Sequence, residues 1–299
     1  MLIDIHAHAY RFPQKFVCEF CSAEQLLERW DELGISKGVV LPIVNPEVYL
    51  PQSNEDILEM AEKYPDRIIP FCNVDPRSIK NNSYADFEPI LQYYKDRGCK
   101  GIGEIMPKMD LSDPKLQNLL YYAQKVGLPV TLDGAPQRDI GFGIYDDPGL
   151  PQLEMTLISF PELKVLGHGP WFWAELAKLE TIGERGYFYT SRGQQVGNMN
   201  HSPIKEEGVV PKLLRKYPNL YGDLSDISPY YMLSRDPEFG AKFLEEFQDR
   251  MFFGTDIVSP TMPVDIIDML DTWLSDGLLS QEVYDKITHK NAERFLGLS

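Results

Sequence analysis

The sequence predicts an α/β fold, a single (β/α)8 TIM barrel with a long loop insertion after the sixth strand. Three observations carry this. Eight short apolar runs alternate with helical patterns, and a βα alternation implies parallel strands. Several runs are continuously apolar, as strands buried on both faces are. Several also end on metal-ligand residue types, and a barrel builds its active site at the C-terminal ends of its strands.

Strand one opens the chain. Leu2, Ile3 and Ile5 form a buried run that ends in His6-Ala7-His8. Side chains two apart on a strand share a face, so both imidazoles project together at its end. Neutral imidazole is the commonest protein donor to a transition metal, which makes them candidate ligands. A loop over Ala9–Phe16 leads to a helix from Ser22, an N-cap with Gln25 three residues on, ending near Gly34. Strand two is Lys37–Val44, followed by a helix over Ser53–Tyr64. Strand three is Ile68–Val74, followed by a helix over Asp86–Arg97 that Gly98 stops.

Strand four, Cys99–Ile105, carries Glu104 near its end, and a helix over Pro114–Val126 follows. Strand five, Leu128–Asp133, ends on Asp133. A glycine-rich loop over Gly134–Gly149 and a helix over Pro151–Phe160 lead to strand six, Leu163–His168. The insertion over Gly169–Val209 begins with Trp171-Phe172-Trp173. A connection that long is functional or disordered, and its aromatics argue against disorder, so it reads as a cap over the barrel mouth. Strand seven is Asn219–Leu224. A helix over Pro237–Gln248 precedes strand eight, Arg250–Asp256, and helices over Val264–Trp273 and Gln281–Phe295 close the ring.

Composition narrows the function. The 299 residues carry a net charge of −16, which argues against nucleic acid and against anionic membranes. A small anionic substrate stays open, because a bound divalent ion can dominate the local field. No apolar run approaches the roughly 20 residues that span a bilayer. The N-terminus runs directly into a ligand-bearing strand, so no signal peptide is expected. Four scattered cysteines make no disulfide framework, and a cytoplasmic setting follows. Cys18 and Cys21 form one C-x-x-C with no second pair, which excludes a zinc ribbon and reads as packing thiols. One domain over residues 1–299 is expected, acting on a small molecule, with homo-oligomerisation left open.

The opening His6-x-His8 is joined by Gly101-Ile102-Gly103-Glu104, Val165-Leu166-Gly167-His168-Gly169 and Phe253-Gly254-Thr255-Asp256. Together they resemble the amidohydrolase superfamily of metal-dependent barrel enzymes, in the branch that contains aminocarboxymuconate-semialdehyde decarboxylase and many predicted hydrolases. The resemblance runs over nearly the whole chain. It implies that His6 and His8 are the strand-one ligands and that Asp256 binds the metal and takes a proton from the attacking water. It implies that His168 binds a second metal or hydrogen-bonds the reacting group. Glu104 resembles the bridging glutamate of TatD-type hydrolases; a buried glutamate paired with a neighbouring charge is its other reading.

The chain departs from the pattern at strand five, where most relatives have a histidine. Asp133 stands there as a hard oxygen donor, a partner of a metal-bound histidine, or a turn residue before Gly134. The cofactor implied is a divalent metal, zinc first and manganese as the alternative that carboxylates favour, with one ion preferred to two. Arg192, Arg138 and Tyr145 lie in the two long loops and are candidates to hold a substrate carboxylate. His201 lies in the long insertion with no partner at ligand spacing and His289 near the C-terminal helix, and neither is assigned to chemistry. The function expected is a metal-dependent hydrolase of a small amide, lactone or ester. The alternatives are a non-oxidative decarboxylase of a small unsaturated or aromatic acid, and a barrel that only binds a ligand.

Overall fold

The computed structural model describes residues 1–12, 14–15, 19–47, 52–138, 140–141, 143–186, 188–189, 195–197 and 200–298. The barrel strands are β1 Leu2–Ala7, β2 Ile35–Val40, β3 Ile68–Pro70, β4 Ile102–Ile105, β5 Val130–Asp133, β6 Val165–His168, β7 Leu220–Asp223 and β8 Met251–Phe252. Neighbours pair in parallel, β1 to β3 in one run and β4 to β8 in another. A parallel bridge between Cys72 and Ile102 joins β3 to β4. Another, between Ala7 and Ile257, joins β1 to the segment after β8, and the sheet closes into a TIM barrel.

Both strand faces are apolar because both are covered. Val40, Ile102, Val130 and Val165 pack outward under the helices. Ile3, Ile5, Val39, Phe71, Leu166 and Phe252 form a second cluster with Leu296. Each such burial contributes about 1.5–3 kcal/mol.

The helices are α1 Ala23–Glu32, α2 Asn54–Lys63, α3 Glu88–Asp96, α4 Pro114–Val126, α5 Pro151–Ser159, α6 Pro170–Trp173, α7 Val209–Lys216, α8 Ile227–Ser234, α9 Pro237–Glu246, α10 Asp265–Ser275, α11 Gln281–Asp285 and α12 Asn291–Leu296. Ser22 with Gln25 and Ser53 with Asp56 form complete capping boxes on α1 and α2. The segment expected as one helix over Gln281–Phe295 is interrupted by a π turn at Lys286–Lys290. The turn frees the Ile287 carbonyl to accept the Phe253 N–H at 2.9 Å. Asn291 donates to Gln248 O and Met251 O, which ties α12 to β8.

The insertion after β6, expected as a cap over the barrel mouth, begins with aromatics buried in the core. Trp171, Phe172 and Trp173 are fully buried, and Trp173 Nε1 donates to Asp223 O at 2.8 Å. Phe172 lies against Gly167 and Trp171 against Gly134, where an added Cβ would meet the rings at 2.5 and 2.4 Å. The aromatics anchor the insertion in the core because large apolar rings gain most from leaving water. Cys18 lies outside the described residues; Cys21 donates its thiol to His8 O at 3.3 Å. Among the described residues no helix is long and apolar enough to cross a membrane.

Candidate metal centre

The backbone frame of the site is set by Asp4, fully buried on β1. Its carboxylate accepts from Trp30 Nε1 at 2.9 Å, the His6 N–H at 3.0 Å, and the Thr255 N–H and hydroxyl at 2.9 and 2.6 Å. It thereby fastens β1 to the turn after β8. Asp256 N–H then donates to His6 O at 2.7 Å, so two side chains far apart in sequence face one point. Gly254 in that turn has no room for a side chain: a Cβ would lie 2.8 Å from Ser225 Cβ and 3.0 Å from Asp223 Oδ1. Asp256 has a φ of 54°, the left-handed region that Asp enters more readily than most residues.

Three imidazoles are fixed from behind. His6 Nδ1 lies 2.7 Å from Asp223 Oδ2, and His8 Nδ1 lies 2.9 Å from Leu41 O. His168 Nδ1 lies 3.0 Å from Ser225 Oγ and 3.4 Å from Asp223 Oδ2. With acceptors behind them, the Nδ1 atoms of His6 and His8 carry the hydrogens and their Nε2 lone pairs point inward. His6 Nε2 and His8 Nε2 then stand 3.0 Å apart. Two lone pairs aimed at each other repel unless a cation or a proton lies between them.

Two carboxylates complete the ring. Glu104 Oε2 is 3.7 Å from His6 Nε2 and 3.4 Å from His8 Nε2, and its Oε1 is 3.5 Å from His168 Nε2. Asp256 Oδ1 is 3.5 Å from His6 Nε2 and 3.2 Å from His8 Nε2, and Oδ2 is 4.0 Å from His168 Nε2. Donors about 2.1 Å from a shared ion sit roughly 3.0–3.4 Å apart in octahedral or tetrahedral geometry. The residues therefore fit a divalent cation. Neutral imidazole with carboxylate is also the donor chemistry that zinc and manganese accept.

The electrostatics say the same. Burial pushes the His6 and His168 imidazoles down, yet Asp223 and Glu104 outweigh it; His6 ends well above the usual value and His168 at about 10. His8 is likewise raised, with Asp256 and Glu104 overcoming burial. Burial would raise Glu104 and Asp223, but the histidines hold both below the usual carboxylate range. Such a cluster attracts positive charge strongly.

Asp133 closes β5, and one of its oxygens falls within 4.8 Å of donors from Glu104 and His168. Burial and then the Glu104 charge push its carboxyl well above the usual range. Gly169, at φ 80°, is needed beside it, since a Cβ there would sit 2.3 Å from Asp133 Oδ1. Asp223 was not among the residues singled out from sequence. The signal available was the same strand-end rule applied to strand seven. Asp4 left no comparable signal.

The donors open into a cavity of about 350 Å³, walled in part by Ile43, Met106, Ile227 and Val258. Gly169, Pro170 and Gly186 of the insertion line it too. Arg138 is bound to Asp110 at 2.6 Å and stacks over Tyr145, whose hydroxyl donates to Asp147. Neither Arg138 nor Tyr145 is among the lining residues. Arg192 lies outside the described residues. His201 packs on Tyr231, and the His289 ring lies beside the Thr288 hydroxyl, both apart from the cluster.

A family model described as amidohydrolase matches residues 3–298. A search of curated proteins finds no match. Among solved structures, the chain is similar to a probable 2-pyrone-4,6-dicarboxylic acid hydrolase from Acinetobacter baumannii, at 15% identity and a TM-score of 0.61, with 99% of each chain covered. It is similar to a 2,6-dihydroxybenzoate decarboxylase from Rhizobium, at 14% identity and 0.59, covering 99% of this chain and 98% of that one. It is also similar to a 5-carboxyvanillate decarboxylase from Novosphingobium aromaticivorans complexed with manganese, at 16% identity and 0.57, covering 93% of this chain and 81% of that one. At these identities the likeness is one of fold.

Proposed function

The chain belongs to the amidohydrolase family of metal-dependent enzymes, and on that premise we propose that it hydrolyses a small amide, lactone or ester. One observation carries this reading. Of the five clustered donors, His6, His8, Glu104 and His168 have side chains at most 5% exposed, whereas that of Asp256 is 19% exposed and opens into the cavity. A carboxylate that both belongs to the donor ring and faces the substrate space is placed to move a proton.

His6, His8, Glu104 and Asp256 would hold one divalent ion, zinc, or manganese as the alternative. An ion held there would supply Lewis acidity, to polarise a carbonyl and to lower the pKa of water towards 7. Asp256 accepts the proton of the attacking water and returns it to the leaving group. His168, backed by Asp223 and Ser225, presents Nε2 to the reacting group and holds it in line with Asp256. Leu41 O and Asp223 keep His8 and His6 in the tautomer that leaves Nε2 free for the ion.

Decarboxylation is the second reading, and Asp133 favours it: burial keeps this cavity-lining carboxyl towards its protonated form, a source of a proton for carbon. The two separate in one screen. The metal-loaded protein is offered small amides, lactones and esters, and in parallel small unsaturated and aromatic carboxylic acids. Product acid from the first set supports hydrolysis. Carbon dioxide release without it overturns hydrolysis in favour of decarboxylation.

A further inference from the structure

Outside the donor ring, one buried cation ties together the two long loops above the barrel. Arg185 is fully buried, and its guanidinium makes four hydrogen bonds. Nη2 and Nε donate to Glu175 Oε1 at 2.6 and 3.1 Å, in the turn that follows α6. Nη1 donates to Asp146 O at 2.6 Å and Nη2 to Asp147 O at 2.8 Å, in the loop between β5 and α5. Glu175 Oε1 also accepts from the Gly149 N–H at 3.0 Å, and the Asp146 carboxylate accepts from the Gln152 and Leu153 N–H groups at 3.1 and 2.7 Å. The fork therefore joins the insertion to the first turn of α5. None of Arg185, Glu175, Asp146 and Asp147 belongs to the donor groups or lines the cavity.

What the fork holds is its chain neighbour. Gly186 lines the cavity together with His168 and Asp256, at a φ of 146° that favours glycine. Behind it, its carbonyl packs on Gly197, where an added Cβ would come within 2.1 Å. The insertion thus gives the cavity two stretches of wall. Gly169 and Pro170 are fixed by the buried rings of α6, and Gly186 by Arg185. Burying an ion pair gains little stability over apolar packing, whereas an arginine fork fixes direction as well as distance. Resting on the hydrolase reading, we infer that Arg185 is a positioning residue: through Gly186 it sets the width of the cavity, and so the size of the group that fits beside the donor ring.

The test is calorimetric binding to the metal-loaded protein at pH 7 of two probes that share one metal-gripping head, acetohydroxamate and benzohydroxamate. The wild type is expected to bind both. Arg185→Lys keeps the charge and loses the fork; Arg185→Met with Glu175→Gln removes the pair and leaves no buried charge alone. In each, benzohydroxamate is expected to weaken about tenfold or more, because a wall displaced by about 1 Å no longer packs on the ring, and acetohydroxamate by less than about twofold. A role in stability alone would move both probes together. Equal changes, or none, in a folded variant overturn the inference. Gly186→Ala with the pair intact moves the wall directly, and an unchanged ratio of the two affinities there overturns the inference even if neither Arg185 variant folds. So does failure of both probes to bind the loaded wild type. Hydrolysis is scored separately, by product acid from small amides, lactones and esters: turnover with an unchanged ratio ends this inference alone, and a shifted ratio without turnover ends the hydrolase reading alone.

Discussion

His6 Nδ1 and Asp223 Oδ2 meet at 2.7 Å, from β1 and β7 on either side of β8, both fully buried. The same oxygen lies 3.4 Å from His168 Nδ1. One carboxylate therefore orients two imidazoles and raises the basicity of both. Asp223→Asn keeps the size of the side chain and removes the charge. The expected outcome is a folded protein whose metal affinity and activity fall roughly 10–100-fold, the usual cost of losing such an orienting partner. Chelator competition measures it, and wild-type affinity in the variant would remove Asp223 from the site.

Asp256→Asn tests the proton-transfer role. The amide is isosteric and Asn also enters the left-handed region, so folding should be preserved. Turnover should fall by roughly two to four orders of magnitude, as for a lost general base. Near-normal rates on a working substrate would rule the role out.

Protons and the ion compete for the same atoms. His168 sits at about 10, His6 and His8 are raised, and burial brings Asp4 up to about 7. In the metal-free protein each of these holds protons more tightly folded than unfolded. Their stabilisation is present below the unfolded value and lost as pH rises through the folded value. Asp223 and Glu104 are lowered and stay ionised in both states above neutrality, so they add no slope there. Melting temperature of the metal-free protein should therefore fall as pH rises from 6.5 to about 9.5, and metal loading should flatten the curve. Thermal unfolding with and without chelator decides this; a rising metal-free curve contradicts it.

How much of this was legible in sequence depends on whether a contact is local. The capping box at Ser22 is written within four residues, and it formed. The His6-x-His8 pair and the residues ending strands four, five, six and eight were legible because a barrel sends strand ends to one face. Strands two, three and eight proved shorter than their apolar runs, since burial continues into the loops after the ladder stops. The π turn at Lys286–Lys290 answers a bond from Phe253, more than thirty residues away, so no local pattern reveals it. Asp4 fails for the same reason: alternation alone cannot show that a buried carboxylate has three donors waiting from two distant segments, Trp30 and Thr255. Arg138 and Tyr145 had the right chemistry, but loop conformation decides reach, and Asp110 and Asp147 engage them.

The number of ions turns on Glu104. Its two oxygens face different partners, Oε2 towards His6 and His8 and Oε1 towards His168. That is the posture of a bridge, and Glu104, Asp133 and His168 by themselves form a donor group within 4.8 Å. A second ion there would have three protein donors, two of them carboxylates, and would sit about 3.5–4 Å from the first. Against it, Asp133 gains from burial only when protonated, and strand five of this chain offers no histidine. Glu104 also lies within reach of all three imidazoles, which hold its carboxyl below the usual range without a second ion. We expect one ion per chain on His6, His8, Asp256 and Glu104. Glu104→Gln should then weaken that single site about tenfold or more, since a neutral amide replaces a charged oxygen donor, without changing the stoichiometry. Elemental analysis after titration of the metal-free protein reads both numbers. Two ions in the wild type, with one lost in Glu104→Gln, would assign Glu104 as a bridge and Asp133 as a ligand.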